Sequence, residues 1–252
     1  MSSQARATGA TTALDLYAPQ STYGGPRGLR RLVDAAHGHG LGVVLDVVYN
    51  HLGPEGNYLG EYGPYFTDRY KTPWGTAINF DGPDSDGRPA TLRRERAVLG
   101  RASSTSTACA STPIALDLRR RARSTSSTEL AEAAAKRPRL LDRPVHIIAE
   151  SHDNDRRIVL PASEGGIGLD AVWADDFHHA HARRLTGEQT RVLRRFRGGK
   201  GLGRALGEGF AFQGEPSEYF GRARGTASAD LEGERFCALP AESRSGRQSR
   251  PG

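Results

Sequence analysis

Leu41-Gly42-Val43-Val44-Leu45-Asp46-Val47-Val48-Tyr49-Asn50-His51 is a nearly continuous apolar run that ends in polar residues. A strand that is apolar on both faces belongs inside a parallel sheet, because an antiparallel sheet with one wet face would alternate. Just before it, Gly28 to His39 carries Leu29, Leu32, Val33 and Ala36 at helical spacing, with Gly38 and Gly40 as stop signals. A helix leading into a buried strand is an α/β unit. Val145-His146-Ile147-Ile148-Ala149-Glu150 predicts a second buried strand, and Asp170 to Trp173 a third. Glu129 to Ala135 and Leu202 to Phe212 read as helical. Gly53 to Gly82 reads as a loop rich in Gly, Pro and aromatics, too long to be a mere connection.

The chain has 252 residues, 37% hydrophobic and 25% charged, enough for a sizeable core in one large or two small domains. No run of about 18 apolar residues predicts a transmembrane helix. Met1 to Thr12 lacks the apolar core of a secretory signal. Cys109 and Cys237 form neither a metal-type cluster nor a disulfide framework. A cytoplasmic protein with no membrane partner is the expectation.

The net charge of +6 is local. Arg88 to Thr125 holds nine arginines against Glu95 and Asp117, which accounts for the whole excess. A basic stretch can bind nucleic acid. Stacking on bases needs aromatics among the arginines, and this stretch has none. No nucleic-acid partner is therefore expected. The stretch also carries ten Ser/Thr and no convincing apolar period, which predicts loop or disorder.

The chemistry gathers at strand ends. Asp46, Asn50 and His51 close one apolar run and Glu150 closes another. A carboxylate on an apolar strand is costly unless it is paired or used. In a (β/α)8 barrel the C-terminal ends of the strands build the active site. His178, His179 and His181 lack the supporting cluster a metal centre needs.

Asp46-Val47-Val48-Tyr49-Asn50-His51 resembles the first signature of the alpha-amylase family of glycoside hydrolases. Tyr23-Gly24-Gly25-Pro26, Tyr49 through Leu59, Gly63-Pro64-Tyr65-Phe66, Thr72-Pro73-Trp74-Gly75 and Asn79-Phe80-Asp81-Gly82-Pro83 are similar to the trehalose-releasing branch of that family. So are Ile148-Ala149-Glu150-Ser151 with Asn154-Asp155, the run Trp173 to His179, and Gly207 to Arg222. The resemblance implies an α/β fold, a partial (β/α)8 TIM barrel of the alpha-amylase type. It implies retaining cleavage of the α-1,4-glucosidic bond next to a terminal trehalose, on a malto-oligosaccharide substrate, with no metal or organic cofactor. By similarity Glu150 is the general acid/base, while Asp46, Asn50, His51, Asp175, His178 and His179 line the sugar. A branching enzyme shares the first signature; new branch points rather than free trehalose would mark that activity. A non-catalytic glucan-binding remnant is a third reading.

Two family segments are missing. The nucleophile segment, of the form Val-Asp-Gly-Leu-Arg-Leu-Asp-Ala, is absent between the two strands, and so is Asn-His-Asp-Gln. Both gaps fall where Ser, Thr and Arg dominate. The chain has 3 Lys and 32 Arg, which points to a GC-rich gene. With permitted GC-rich codons, Ser103 to Pro113 read one base earlier gives Glu-Phe-His-Val-Asp-Gly-Leu-Arg-Leu-Asp-Ala. Cys237 to Gly252 read one base later can give a stretch containing Asn-His-Asp-Gln. The expected organisation is an incomplete catalytic barrel over 14–236, with 88–125 frame-shifted and disordered, and a frame-shifted tail over 237–252. As written, the chain is expected to be inactive.

Overall fold

The computed structural model describes residues 19–46, 52–53, 56–72, 75–79, 82–85, 108–113, 131–132, 146–188, 193–196, 200–217 and 220–238. The chain divides into two compact units, Met1–Ile147 and Ile148–Gly252.

In the first unit a 3-10 turn, Ser21–Tyr23, closes on Gly24 in the left-handed region at φ 89°. Helix α1, Gly25–Gly38, follows with Pro at its start, where a missing N–H costs nothing. Gly28 is required there, since a Cβ would sit 2.6 Å from the Tyr23 carbonyl oxygen. The predicted apolar stripe seats Val33, which is buried, but Leu32 is 63% exposed. The helix ends as its glycines predict: Gly40 takes φ +71° and the Leu41 N–H donates to the Ala36 carbonyl at 2.9 Å.

Strand β1, Val43–Asp46, forms within the apolar run, whose remainder, 47–51, lies outside the described residues. Val44 is 47% exposed, so burial on both faces is not met there. The predicted long loop carries structure of its own: helix α2, Leu59–Tyr62, then an antiparallel hairpin of β2, Phe66–Thr72, and β3, Gly75–Ile78. Asn79 closes it. Its amide donates to the Pro64 and Pro83 carbonyls, both at 3.1 Å, and its Oδ1 accepts the Gly82 N–H at 2.8 Å.

Strand β4, Ala108–Pro113, corrects part of the reading of 88–125 as irregular chain. It pairs in parallel with β1, from Val43↔Ala108 to Asp46↔Ser111. A parallel ladder is held by backbone hydrogen bonds and needs no apolar period. The rest of that stretch lies outside the described residues.

The second unit begins within β5, His146–Glu150, whose Ile147, Ile148 and Ala149 are all buried. It pairs in parallel with β6, Ala171–Trp173, and β6 pairs in parallel with β9, Phe236–Cys237. The β6-to-β9 connection runs through helix α3, Asp175–Thr186, helix α4, Lys200–Glu208, and a small hairpin, β7 Pro216–Ser217 with β8 Arg222–Ala223. A helical crossover between parallel strands is the α/β arrangement the sequence predicts. α4 starts two residues before the predicted helix and ends at Glu208, because Gly209 turns to φ +85°. Phe210 packs edge-on against Phe236, ring centres 5.1 Å apart, and ties that turn to β9. Cys237 therefore belongs to the sheet, and 239–252 lies outside the described residues.

Candidate active site

Glu150 stands half-buried at the C-terminal end of β5. The next strand, β6, ends one residue before α3, whose first turn is Asp175 and Asp176. Carboxylates in a first helical turn face the unpaired N–H groups and the positive end of the helix dipole, and Arg183 and Arg184 complement the other end. Gly187, at φ 69°, stops the helix with its N–H on the Arg183 carbonyl at 3.0 Å. So two consecutive parallel strands each deliver a carboxylate to the same edge of the second unit.

The two aspartates do different work. Asp176 turns inward, where its Oδ2 accepts the Asn154 amide at 2.6 Å and the Ala211 and Phe212 N–H groups at 3.1 and 3.2 Å. Its Oδ1 takes Arg224 Nη1 at 2.7 Å. Arg224 also donates through Nε to the His152 carbonyl at 2.7 Å and through Nη2 to Asn154 Oδ1 at 3.2 Å. Its guanidinium lies 5.2 Å from the Phe212 ring centre and 5.1 Å from that of Phe220. Two buried charges are tolerated here because each has a partner and further hydrogen bonds.

Asp175 holds two imidazoles. Its Oδ2 is 2.9 Å from His152 Nδ1 and 3.3 Å from His179 Nδ1, the latter one helical turn along α3. Burial pushes the Asp175 carboxyl up, but the hydrogen bonds from His152 and His179 outweigh it and hold the group well below the usual carboxylate range. The same hydrogen bond raises His152 above its ordinary value. Burial opposes that rise, and the charges of Asp175 and Glu150 add to it while Arg224 subtracts. His179 lies against the Phe196 ring, and His178 against His179.

Of the residues singled out from sequence, Asp175, His178 and His179 lie together on α3, and Asp175 meets His179 directly. Glu150 lies within electrostatic reach of His152, two residues on, which the sequence reading passed over. The signal was its place two positions after a strand-end carboxylate. Asp46 is the last residue of β1. Asn50 and His51 lie outside the described residues. Among the described residues no group of three or more His, Cys, Asp or Glu is arranged to hold a metal ion. No helix among them is long and apolar enough to cross a membrane.

No protein-family model matches the chain. Individual proteins do. Over 221 residues, 88% of the chain, it is 38% identical to the malto-oligosyltrehalose trehalohydrolase of Saccharolobus solfataricus, of which it covers 38%. It is 36% identical over 220 residues to that of Rhizobium sp. strain M-11, covering 83% of this chain and 35% of the relative. A 1,4-alpha-glucan branching enzyme of Corynebacterium jeikeium matches over 46 residues, 18% of the chain, at 46% identity. That likeness is confined to a short stretch and does not displace the first. The crystal structure of a putative alpha amylase from Salmonella typhimurium superposes with a TM-score of 0.75 at 34% identity, covering 90% of this chain and 38% of that one. The chain thus spans somewhat over a third of the length of the relatives it matches. By sequence and fold together, it belongs to the alpha-amylase family of glycoside hydrolases, where it aligns with part of the malto-oligosyltrehalose trehalohydrolases.

Proposed function

We propose that the chain is part of a hydrolase that releases trehalose from malto-oligosyltrehalose by cutting the α-1,4-glucosidic bond next to the terminal trehalose. The observation that carries this is the 38% identity over 88% of the chain to a protein of that name, with Glu150 at a strand end. A retaining glycosidase needs a carboxylic acid and a carboxylate nucleophile about 5–5.5 Å apart. Glu150 is the acid/base: protonated, it donates to the leaving oxygen, and ionised, it activates the water that follows. Asp46, Asn50 and His51 line the ring at the cleaved bond. His178 and His179 face the sugar from α3, with Asp175 holding His179 in place.

The nucleophile is the part this chain lacks. In the alternative frame, Gly-Leu-Arg-Leu-Asp-Ala falls on Ala108–Pro113, the six residues of β4. Its aspartate then stands at Thr112, one residue beyond the Asp46↔Ser111 pairing at the C-terminal end of the strand. The motif's other aspartate falls on Thr107, outside the described residues. Strand C-terminal ends are where barrel catalysis takes place, so Thr112 is the position we assign to the lost nucleophile. An incomplete catalytic domain over 14–236 with frame-shifted 88–125 and 237–252, in a cytoplasmic setting, is part of this reading. The test is trehalose release from malto-oligosyltrehalose. The chain as written should release none, and a frame-restored gene should release trehalose. New branch points from the restored enzyme would replace this reading with the branching one.

A further inference from the structure

We infer that His152 is a ligand-contacting residue, presenting its Nε2 to a hydroxyl of a bound glucosyl unit, and that Asp175 positions it. The inference rests on the reading of the chain as acting on an α-glucan and adds a contact to that site. The geometry carries it. His152 Nδ1 is committed to Asp175 Oδ2 at 2.9 Å, so Nε2 is the ring nitrogen left to meet another molecule. The His152 side chain is 55% exposed, whereas the Asp175 side chain is only 5% exposed. Asp175 thus acts through the imidazoles it holds rather than by touching a ligand itself.

The imidazole is also fixed from below. The carbonyl of His152 accepts the Nε–H of Arg224, which is buried on Asp176 and Asn154. The ring is aimed from one side and its backbone tethered from the other, so little freedom is lost when a ligand arrives. His152 stands two residues beyond Glu150 on the same strand-end loop, and Glu150 acts on it electrostatically. A sugar held at the Glu150 end of β5 would meet the loop that carries His152. A glucosyl ring carries neighbouring hydroxyls whose oxygens accept a hydrogen bond from an imidazole N–H.

The experiment is a titration of the full chain, labelled at histidine, with maltopentaose, followed through the imidazole resonances. His152 should shift saturably, while His37 and His39, on the α1 end of the other unit, should not. His152→Phe should weaken binding about tenfold, and His152→Asn, which restores an N–H donor, should recover part of it. Asp175→Asn should weaken binding less and move the His152 titration down, an effect a merely structural role for Asp175 would not couple to sugar affinity. Unchanged affinity in His152→Phe, with wild type still binding, overturns the inference and leaves the α-glucan reading standing. No saturable shift of any resonance in wild type overturns the inference, while the α-glucan reading stands or falls on trehalose release from the frame-restored gene.

Discussion

Arg224 and Asp176 meet at 2.7 Å inside the second unit, each only 1% exposed. They come from the residue after β8 and the first turn of α3, 48 positions apart. Removing one partner of such a pair strands the other charge without water. Arg224→Leu should therefore cost about 3–5 kcal/mol of unfolding free energy in urea denaturation. Arg224→Lys keeps the charge but cannot reach Asp176, Asn154 and the His152 carbonyl at once, so it should fall between. A wild-type midpoint for Arg224→Leu would show that the pair contributes nothing.

Glycines in this unit should respond with opposite signs. Gly225 has φ +85°, and a Cβ there would come within 1.9 Å of the Phe212 carbonyl oxygen, so Gly225→Ala should lower the melting temperature sharply. Gly203 lies within α4 with open space around its absent Cβ. Gly203→Ala should stabilise by about 0.5–1 kcal/mol. Parallel thermal melts of the two variants test both.

Stability should depend on pH through the Asp175–His152 pair. The folded pKa of Asp175 is lowered, so its contribution is present above the unfolded value of 3.8 and fades as pH falls through the folded one. The folded pKa of His152 is raised, so its contribution is complete below the unfolded value of 6.5 and is lost as pH rises through the folded one. The pair should be strongest between those limits. Glu150 supports the charged imidazole, and Arg224 opposes it. Chemical denaturation from pH 4 to 9 should show stability declining above 6.5 in wild type, with that decline much reduced in Asp175→Asn. Parallel curves for the two proteins would remove the pair from the account.

The DNA encoding Ser103 to Pro113 should read through Asp-Gly-Leu-Arg-Leu-Asp-Ala in another frame. In the restored gene, Glu150→Gln should remove activity by about 10²–10⁴-fold, the range for a positioned acid. Sequencing the locus decides the first point and trehalose release the second. A restored Glu150→Gln enzyme as fast as its parent would place the acid elsewhere.

Local signals were legible where chain neighbours suffice. The apolar run before Glu150 became β5 almost residue for residue, and Gly38 and Gly40 ended α1 where expected. The loop read into Gly53 to Gly82 hid a hairpin because Phe66–Thr72 mixes Asp68, Arg69 and Lys71 with its apolar residues, and because the Asn79 closure reaches back 15 residues. His152 was missed for the same reason. Its partner Asp175 is 23 positions away, and nothing in the spacing of either announces the other. Asp175 and Asp176 look alike in sequence, and only the fold separates the one holding imidazoles from the one holding a guanidinium.

The reach of Arg224 has an evolutionary consequence. One side chain touches the segments after β5, after β6 and after α4, through His152, Asp176 and Phe212. Substitutions at positions 152, 154, 176, 212 and 224 are thus not independent trials. A replacement tolerated beside one set of neighbours is harmful beside another, and the order in which changes arrive decides which survive. Exchanging the guanidinium for an uncharged group means crossing intermediates in which Asp176 is buried without its partner.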